Sequence, residues 1–99
     1  MAAYFIAQYQ VNDPDLYREY QGGAGPTIQA HGAELVAFDV AAETIEGTAP
    51  GAQTVVLKFE SVEAAKAWYN SEEYQAVVGK RLAATEGFAV ISQTMNAGG

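Results

Sequence analysis

Apolar and polar side chains alternate along four separate stretches of the chain. The first stretch, residues 4–11, places only apolar side chains on one face, whereas the other face ends in Gln8 and Gln10. Alternation recurs over residues 34–40, 53–60 and 88–95. A period of two in segments rich in aromatic and β-branched residues predicts β-strands. The first strand is therefore expected to have one face against a dry core and the other against water or a polar cavity.

A first helix is predicted between the first two strands. Asp13 is suited to cap its free N–H groups, and Pro14 fits its first turn. The run from Gly22 to Pro26 should weaken it, because each interior glycine costs about 1 kcal/mol relative to alanine and proline removes a donor. We expect a kink or a restart there. Gly32 supplies the left-handed residue that ends the helix.

A second helical region is predicted between the third and fourth strands. Ser61 and Ser71 are both placed as N-caps, so the region is expected to consist of two helices with a break at Asn70. Gly87 is expected to end the second of these helices. Residues 41–52 contain a short β-prone piece, residues 43–46, which predicts an extension of the second strand or a protruding arm.

The order of elements is β-α-β-β-α-β, which predicts an α+β, ferredoxin-like fold with a four-stranded antiparallel sheet and both helical regions on one face. Residues 1–95 are expected to form one domain and residues 96–99 a flexible tail. The uncovered sheet face is too apolar for open solvent, so we expect a homodimer in which two sheets pack face to face.

Charge and composition limit the kinds of partner and site that are expected for this chain. The chain of 99 residues has twelve acidic and five basic residues, giving a formal charge of −7. This charge argues against nucleic acid and membrane partners. The chain has no cysteine, which excludes disulfides and thiolate zinc sites. The apolar runs are too short to predict a membrane span, and an N-terminus without basic residues does not predict a signal peptide. We therefore expect a cytoplasmic location.

Several short segments together resemble the DUF1330 family. They are Tyr4-Phe5-Ile6-Ala7, Asp13-Pro14-x-x-Tyr17-x-x-Tyr20, His31-Gly32, Glu46-Gly47, and Phe59-Glu60-Ser61-x-x-x-Ala65-x-x-Trp68-Tyr69-x-Ser71-x-x-Tyr74. The resemblance runs from Tyr4 to about Ile91, and its last segment is the most specific. It implies membership of the dimeric α+β barrel superfamily, whose protomers meet through their sheets. The glycine run from Gly22 departs from the usual family pattern.

The resemblance implies a fold and a dimer more than a reaction. Relatives in the superfamily include quinone-forming monooxygenases, lactone isomerases, haem-degrading enzymes and stress-response proteins, and they share no catalytic motif that transfers to this chain. Two functions are therefore expected. One is a homodimer that binds a small hydrophobic or phenolic molecule between sheet and helices, with or without cofactor-free catalysis. The other is a stress-associated or assembly protein whose main feature is its interface.

His31 is the candidate catalytic residue, because histidine alone titrates near neutrality without perturbation. The alternative is a helix-terminal histidine that interacts with the last carbonyls. A single histidine without cysteine or spaced carboxylates indicates no metal site, and no cofactor is expected. No phosphate-binding loop or serine-hydrolase motif is present.

The candidate binding residues lie on three elements. Arg81 falls on an apolar helical stripe and would either pair with a glutamate or a helix C-terminus, or anchor a ligand's anionic group. Tyr4 and Gln8 share a strand face with Gln10 and would contact a ligand, ordered water or a partner. Tyr69 and Tyr74 carry hydroxyls that need partners if buried, whereas their neighbour Trp68 is predicted to lie in the core.

Overall fold

A computed structural model describes residues 1–95 of the chain. Its elements are β1 (Ala3–Val11), α1 (Pro14–Ala30), β2 (Glu34–Asp39), β3 (Gln53–Phe59), α2 (Val62–Tyr69), α3 (Glu72–Ala84) and β4 (Thr85–Gln93). The tail predicted at residues 96–99 lies outside the described residues.

The strands form one antiparallel sheet in the order β2-β3-β1-β4. The α+β class, the four-stranded sheet and the order of elements are confirmed, with the second helical region divided at Asn70 as predicted. Caps form where the sequence placed them: Asp13, Ser61 and Ser71 each accept from a backbone N–H two or three residues into the helix that follows. Gly32 adopts a φ of +69° at the end of α1, where glycine is favoured.

The two sheet faces differ as the alternation in β1 predicted. Ala3, Phe5, Ala7 and Tyr9 are buried beneath the helices. The opposite face, called the open face here, carries an apolar centre with polar residues around it. The apolar members of this centre are Ile6 on β1, Val56 on β3, and Phe88 and Val90 on β4.

α1 is continuous from Pro14 to Ala30, so the restart predicted at the glycine run is wrong. Packing between α1 and α3 explains the difference. Gly23 lies so close to α3 that an added Cβ would come within 2.6 Å of Val77 Cγ1. Burial of Ala24 and Thr27 on the same helix also favours a continuous segment. Tertiary contacts here outweigh weak local helix propensity.

The prediction that Gly87 ends a helix is also wrong. α3 ends at Ala84, and Gly87 lies inside β4, directly opposite Tyr9 of β1. A Cβ at Gly87 would collide with the backbone oxygen of Gln8 and with Tyr9. Glycine is required at this position because β1 and the Tyr9 side chain occupy the space.

The side chains of β2 do not simply alternate between the two faces of the sheet. A bulge between Leu35 and Ala37 shifts the register against β3, so that Leu35 lies opposite Leu57 and Phe38 lies opposite Val55. Both therefore face the helix side, contrary to the prediction that they lie on opposite faces. Residues 43–46 form no strand, which leaves the alternative of an arm between β2 and β3.

Candidate functional site

A cavity of about 170 Å³ lies between α1 and the sheet. Its wall contains no charged side chain; it is formed by Phe5, Tyr9, Tyr17, Tyr20, Gln21, Ala24, Gly25, Ile28, Leu35, Phe38, Val55 and Leu57. The bulge in β2 decides its outer edge, because it turns both Leu35 and Phe38 toward α1. These two side chains are 58% and 45% exposed, so the cavity opens to solvent between β2 and α1.

Four buried tyrosines, Tyr9, Tyr17, Tyr20 and Tyr74, are called the tyrosine cluster here, and the first three of them line the cavity. The hydroxyls of Tyr9 and Tyr17 lie 2.8 Å apart, as do those of Tyr20 and Tyr74. Gln53 of β3 donates from Nε2 to the Tyr17 hydroxyl over 2.8 Å. One pair thus joins β1 to α1, and the other joins α1 to α3.

Arg81 lies against the tyrosine cluster and is 4% exposed. Its guanidinium carbon is 5.6 Å from the centre of the Tyr9 ring and 6.0 Å from that of Tyr20. Such contacts between a cation and aromatic rings are favourable. Within residues 1–95 no carboxylate forms a salt bridge with Arg81, and its buried Nε has no hydrogen-bond acceptor. The glutamate partner that the sequence left open is thus not found in this part of the chain.

Burial keeps Tyr9, Tyr20 and Tyr74 neutral. It raises the pKa of Tyr9, to which the hydrogen bond with Tyr17 adds. Burial likewise raises the pKa of Tyr20, followed by the proximity of Tyr74. The pKa of Tyr74 is raised by burial although its hydrogen bond to Tyr20 and the charge of Arg81 act against the rise. Burial lowers the pKa of Arg81, but the attraction of Tyr74 and Tyr20 outweighs it, so Arg81 stays cationic.

The free energy of unfolding is expected to fall steeply above pH 10.0, the ordinary pKa of tyrosine. There the unfolded chain loses protons from Tyr9, Tyr20 and Tyr74, whereas the folded chain keeps them. Each group should then lower the stability by about 1.4 kcal/mol per pH unit, while below pH 10.0 its contribution is complete and constant. Urea denaturation across this range measures the slope, and Tyr20→Phe should reduce it. A stability that stays level through this range would contradict the burial of the tyrosine cluster.

His31 lies at the opposite end of the helix pair from Arg81. α1 and α3 run antiparallel, since Glu19 pairs with Lys80 near one end and His31 pairs with Glu73 near the other. His31 Nε2 is 3.4 Å from Glu73 Oε2 and does not line the cavity. The structure therefore does not bring the candidate base to the tyrosine cluster, and its catalytic role stays a prediction.

The other predicted residues are divided between the two sheet faces. Tyr74 belongs to the tyrosine cluster, and Arg81 lies against it. Tyr4 and Gln8 lie on the open face, where Gln8 donates to Thr54 Oγ1 over 3.1 Å. Tyr69 packs against Trp68 and Phe5 beside the cluster.

Sequence reasoning missed Tyr9, Tyr17, Tyr20 and Gln53. A signal was present, because Tyr17 and Tyr20 lie three residues apart on one helical face and Tyr9 is the one hydroxyl on the apolar face of β1. Phenolic hydroxyls on buried faces require partners, which indicates that they meet one another.

Fold and cavity together define a small α+β protein with an aromatic, ligand-sized pocket. The chain belongs to the DUF1330 family, a domain of unknown function, whose model matches residues 2–95. No protein with a curated function is detectably similar in sequence. Among residues 1–95, no group of three or more histidine and carboxylate side chains is placed to hold a metal ion, and no helix is long and apolar enough to cross a membrane.

Solved structures share the fold at low identity. A protein of unknown function from Rhodopseudomonas palustris is 16% identical, with a TM-score of 0.77 over 97% of this chain and 84% of that one. HapK from Hahella chejuensis is 16% identical, with a TM-score of 0.64 over 96% of this chain and 94% of its own. A conserved protein from Methanosarcina mazei Go1 is 15% identical, with a TM-score of 0.62 over the same shares, 96% and 94%.

Proposed function

We propose that the protein is a homodimer that binds a small, ring-bearing hydrophobic or phenolic molecule in the cavity between α1 and the sheet. The cavity itself carries the proposal. Its volume of about 170 Å³ is similar to that of an engineered apolar cavity of about 150 Å³ that binds benzene in another protein. An apolar wall with a few convergent polar groups is the usual form of a small-molecule site.

The polar groups favour a phenol or a similar molecule over a plain hydrocarbon. Tyr9, Tyr17 and Tyr20 line the cavity, and each carries a hydroxyl. Apart from Gln21, the remaining wall is apolar, which suits a ring. A ligand with one polar edge and one apolar body matches this division.

The open face supports the dimer. Phe88 and Val90 are 48% and 47% exposed there, beside the half-buried Ile6 and Val56. An apolar patch of this kind marks an interaction surface, and antiparallel sheets commonly pack face to face. Dimerisation through the open face leaves the cavity on the other side of the sheet free for a ligand.

Binding takes precedence over catalysis in this proposal. The pKa values of Tyr9, Tyr20 and Tyr74 are raised, so these hydroxyls act as hydrogen-bond donors and not as bases at neutral pH. His31 lies away from the cavity, beside Glu73. An assembly protein without a ligand is less well supported, because the space between α1 and the sheet is not filled by side chains.

Phenol, hydroquinone and 1-naphthol are suitable first probes, with the melting temperature as readout. A ligand at about one hundred times its Kd stabilises the folded state by about 2.7 kcal/mol, which raises Tm by several degrees in a domain of this size. We expect at least one probe to do so.

Two glycines of α1 provide a blocking variant and its matched control. Gly25 lines the cavity, whereas Gly22 does not, and an added Cβ meets nothing within 4 Å at either position. Gly25→Leu should abolish the thermal shift and Gly22→Leu should preserve it. If no probe shifts Tm, or if both variants bind equally well, the proposal is wrong.

A further inference from the structure

The tyrosine cluster and Arg81 contain more hydrogen-bond donors than acceptors. In each tyrosine pair one hydroxyl donates its proton to the oxygen of the other. The proton of that other hydroxyl then has no acceptor among residues 1–95. Gln53 donates into the first pair and so supplies no acceptor to it. Arg81 adds a guanidinium group that can only donate, and its Nε is buried without a partner.

The charge is also unbalanced. Arg81 is a buried cation without a carboxylate partner in the described part of the chain, and every residue that lines the cavity is neutral. An uncompensated buried charge is costly, and burial limits its screening by water and salt. The chain carries a formal charge of −7, yet the charge that lies against the tyrosine cluster is positive.

Two rings connect Arg81 with the cavity. Tyr9 and Tyr20 both line it, and the guanidinium lies against the same two rings at 5.6 and 6.0 Å from their centres. A group that binds against Tyr9 or Tyr20 in the cavity therefore contacts a ring that Arg81 also contacts.

From this arrangement we propose that the cavity selects the anionic form of its ligand: a small aromatic or unsaturated acid bound as a carboxylate, phenolate or enolate. Its oxygen accepts from the unpaired hydroxyl protons of the tyrosine cluster, and the charge of Arg81 balances its own. Hydrogen bonds to an anion are about twice as strong as those between neutral groups. This inference rests on the proposed function and names the ligand class of the same site.

Benzoate and benzamide are probes of nearly equal shape that differ in charge. Calorimetric titration at neutral pH should show benzoate binding at least about tenfold more tightly, since a nearby opposite charge is worth about one to three pKa units. A second probe, 4-nitrophenol, reports ionisation directly, because its phenolate is yellow. Its pKa should be lower on the protein than in water by about one unit or more.

Arg81→Met should remove both the preference for benzoate and the pKa change of 4-nitrophenol. Lys80→Met is the matched control, because it removes a cation from the same helix but at the surface, where Lys80 is ion-paired with Glu19. It should leave both readouts unchanged. If Arg81→Met fails to fold, Tyr20→Phe decides instead, since it keeps the ring and removes one donor. It should weaken benzoate binding more than benzamide binding, because a hydrogen bond to an anion is the stronger of the two.

The outcomes separate the two proposals. Equal affinity for benzoate and benzamide would overturn the anion preference and leave the binding function intact. An equal loss of affinity for benzoate and benzamide in the Tyr20→Phe variant would also overturn the anion preference. Failure of benzoate, benzamide and the neutral phenols alike to bind would remove the proposed function itself.

Discussion

Trp68→Ala is expected to lower the free energy of unfolding by about 3–5 kcal/mol, the range found for removing a large aromatic side chain from a core. Trp68 is fully buried, as predicted, and its ring contacts Phe5, Phe59 and Tyr74, with the Tyr74 ring centre only 4.0 Å away. The substitution leaves a void where helices and sheet meet. Chemical denaturation of the two proteins measures the difference.

Trp68→Phe separates packing from hydrogen bonding. The indole Nε1 donates to Thr27 Oγ1 over 3.0 Å, which links α2 to α1. Phenylalanine retains most of the ring contacts and loses this bond, so its cost should be clearly smaller than that of alanine. A loss below about 1 kcal/mol in the alanine variant would show that Trp68 is not the centre of the core.

Val90→Glu is expected to convert the proposed dimer into a monomer. Val90 lies on the open face and is 47% exposed in the protomer, so the isolated chain has room for a glutamate. In a face-to-face dimer the same carboxylate would be buried without a partner, at a cost of several kcal/mol. Light scattering should give about twice 10.5 kDa for the original protein and about 10.5 kDa for the variant.

Leu82→Glu is the matched control for this experiment. Leu82 is 60% exposed on α3, away from the open face, and receives the same change in charge. This variant should remain dimeric. A monomeric original protein at micromolar concentration, or a dimer unaffected by Val90→Glu, would exclude assembly through the open face.

The chemistry of the site was only partly predictable. Arg81 was identified from its place on an apolar helical stripe and Tyr74 from its hydroxyl, and the structure brings the two together at the tyrosine cluster. Tyr17 and Tyr20 received no role, because periodicity gives the face of a residue and not its partner. The partner of His31 could not be predicted for the same reason, because the antiparallel packing of α1 and α3 determines which residue lies opposite it.

The sequence by itself determined the order of elements, the caps at Asp13, Ser61 and Ser71, and the buried face of β1. These features depend on residues within a few positions of one another, so local physical chemistry suffices to predict them. Tertiary structure decided the continuity of α1, the place of Gly87 within β4, and the bulge that turns Leu35 and Phe38 toward the cavity. Each of these depends on contacts between segments distant in sequence, and the cavity with its tyrosine cluster exists only where those segments meet.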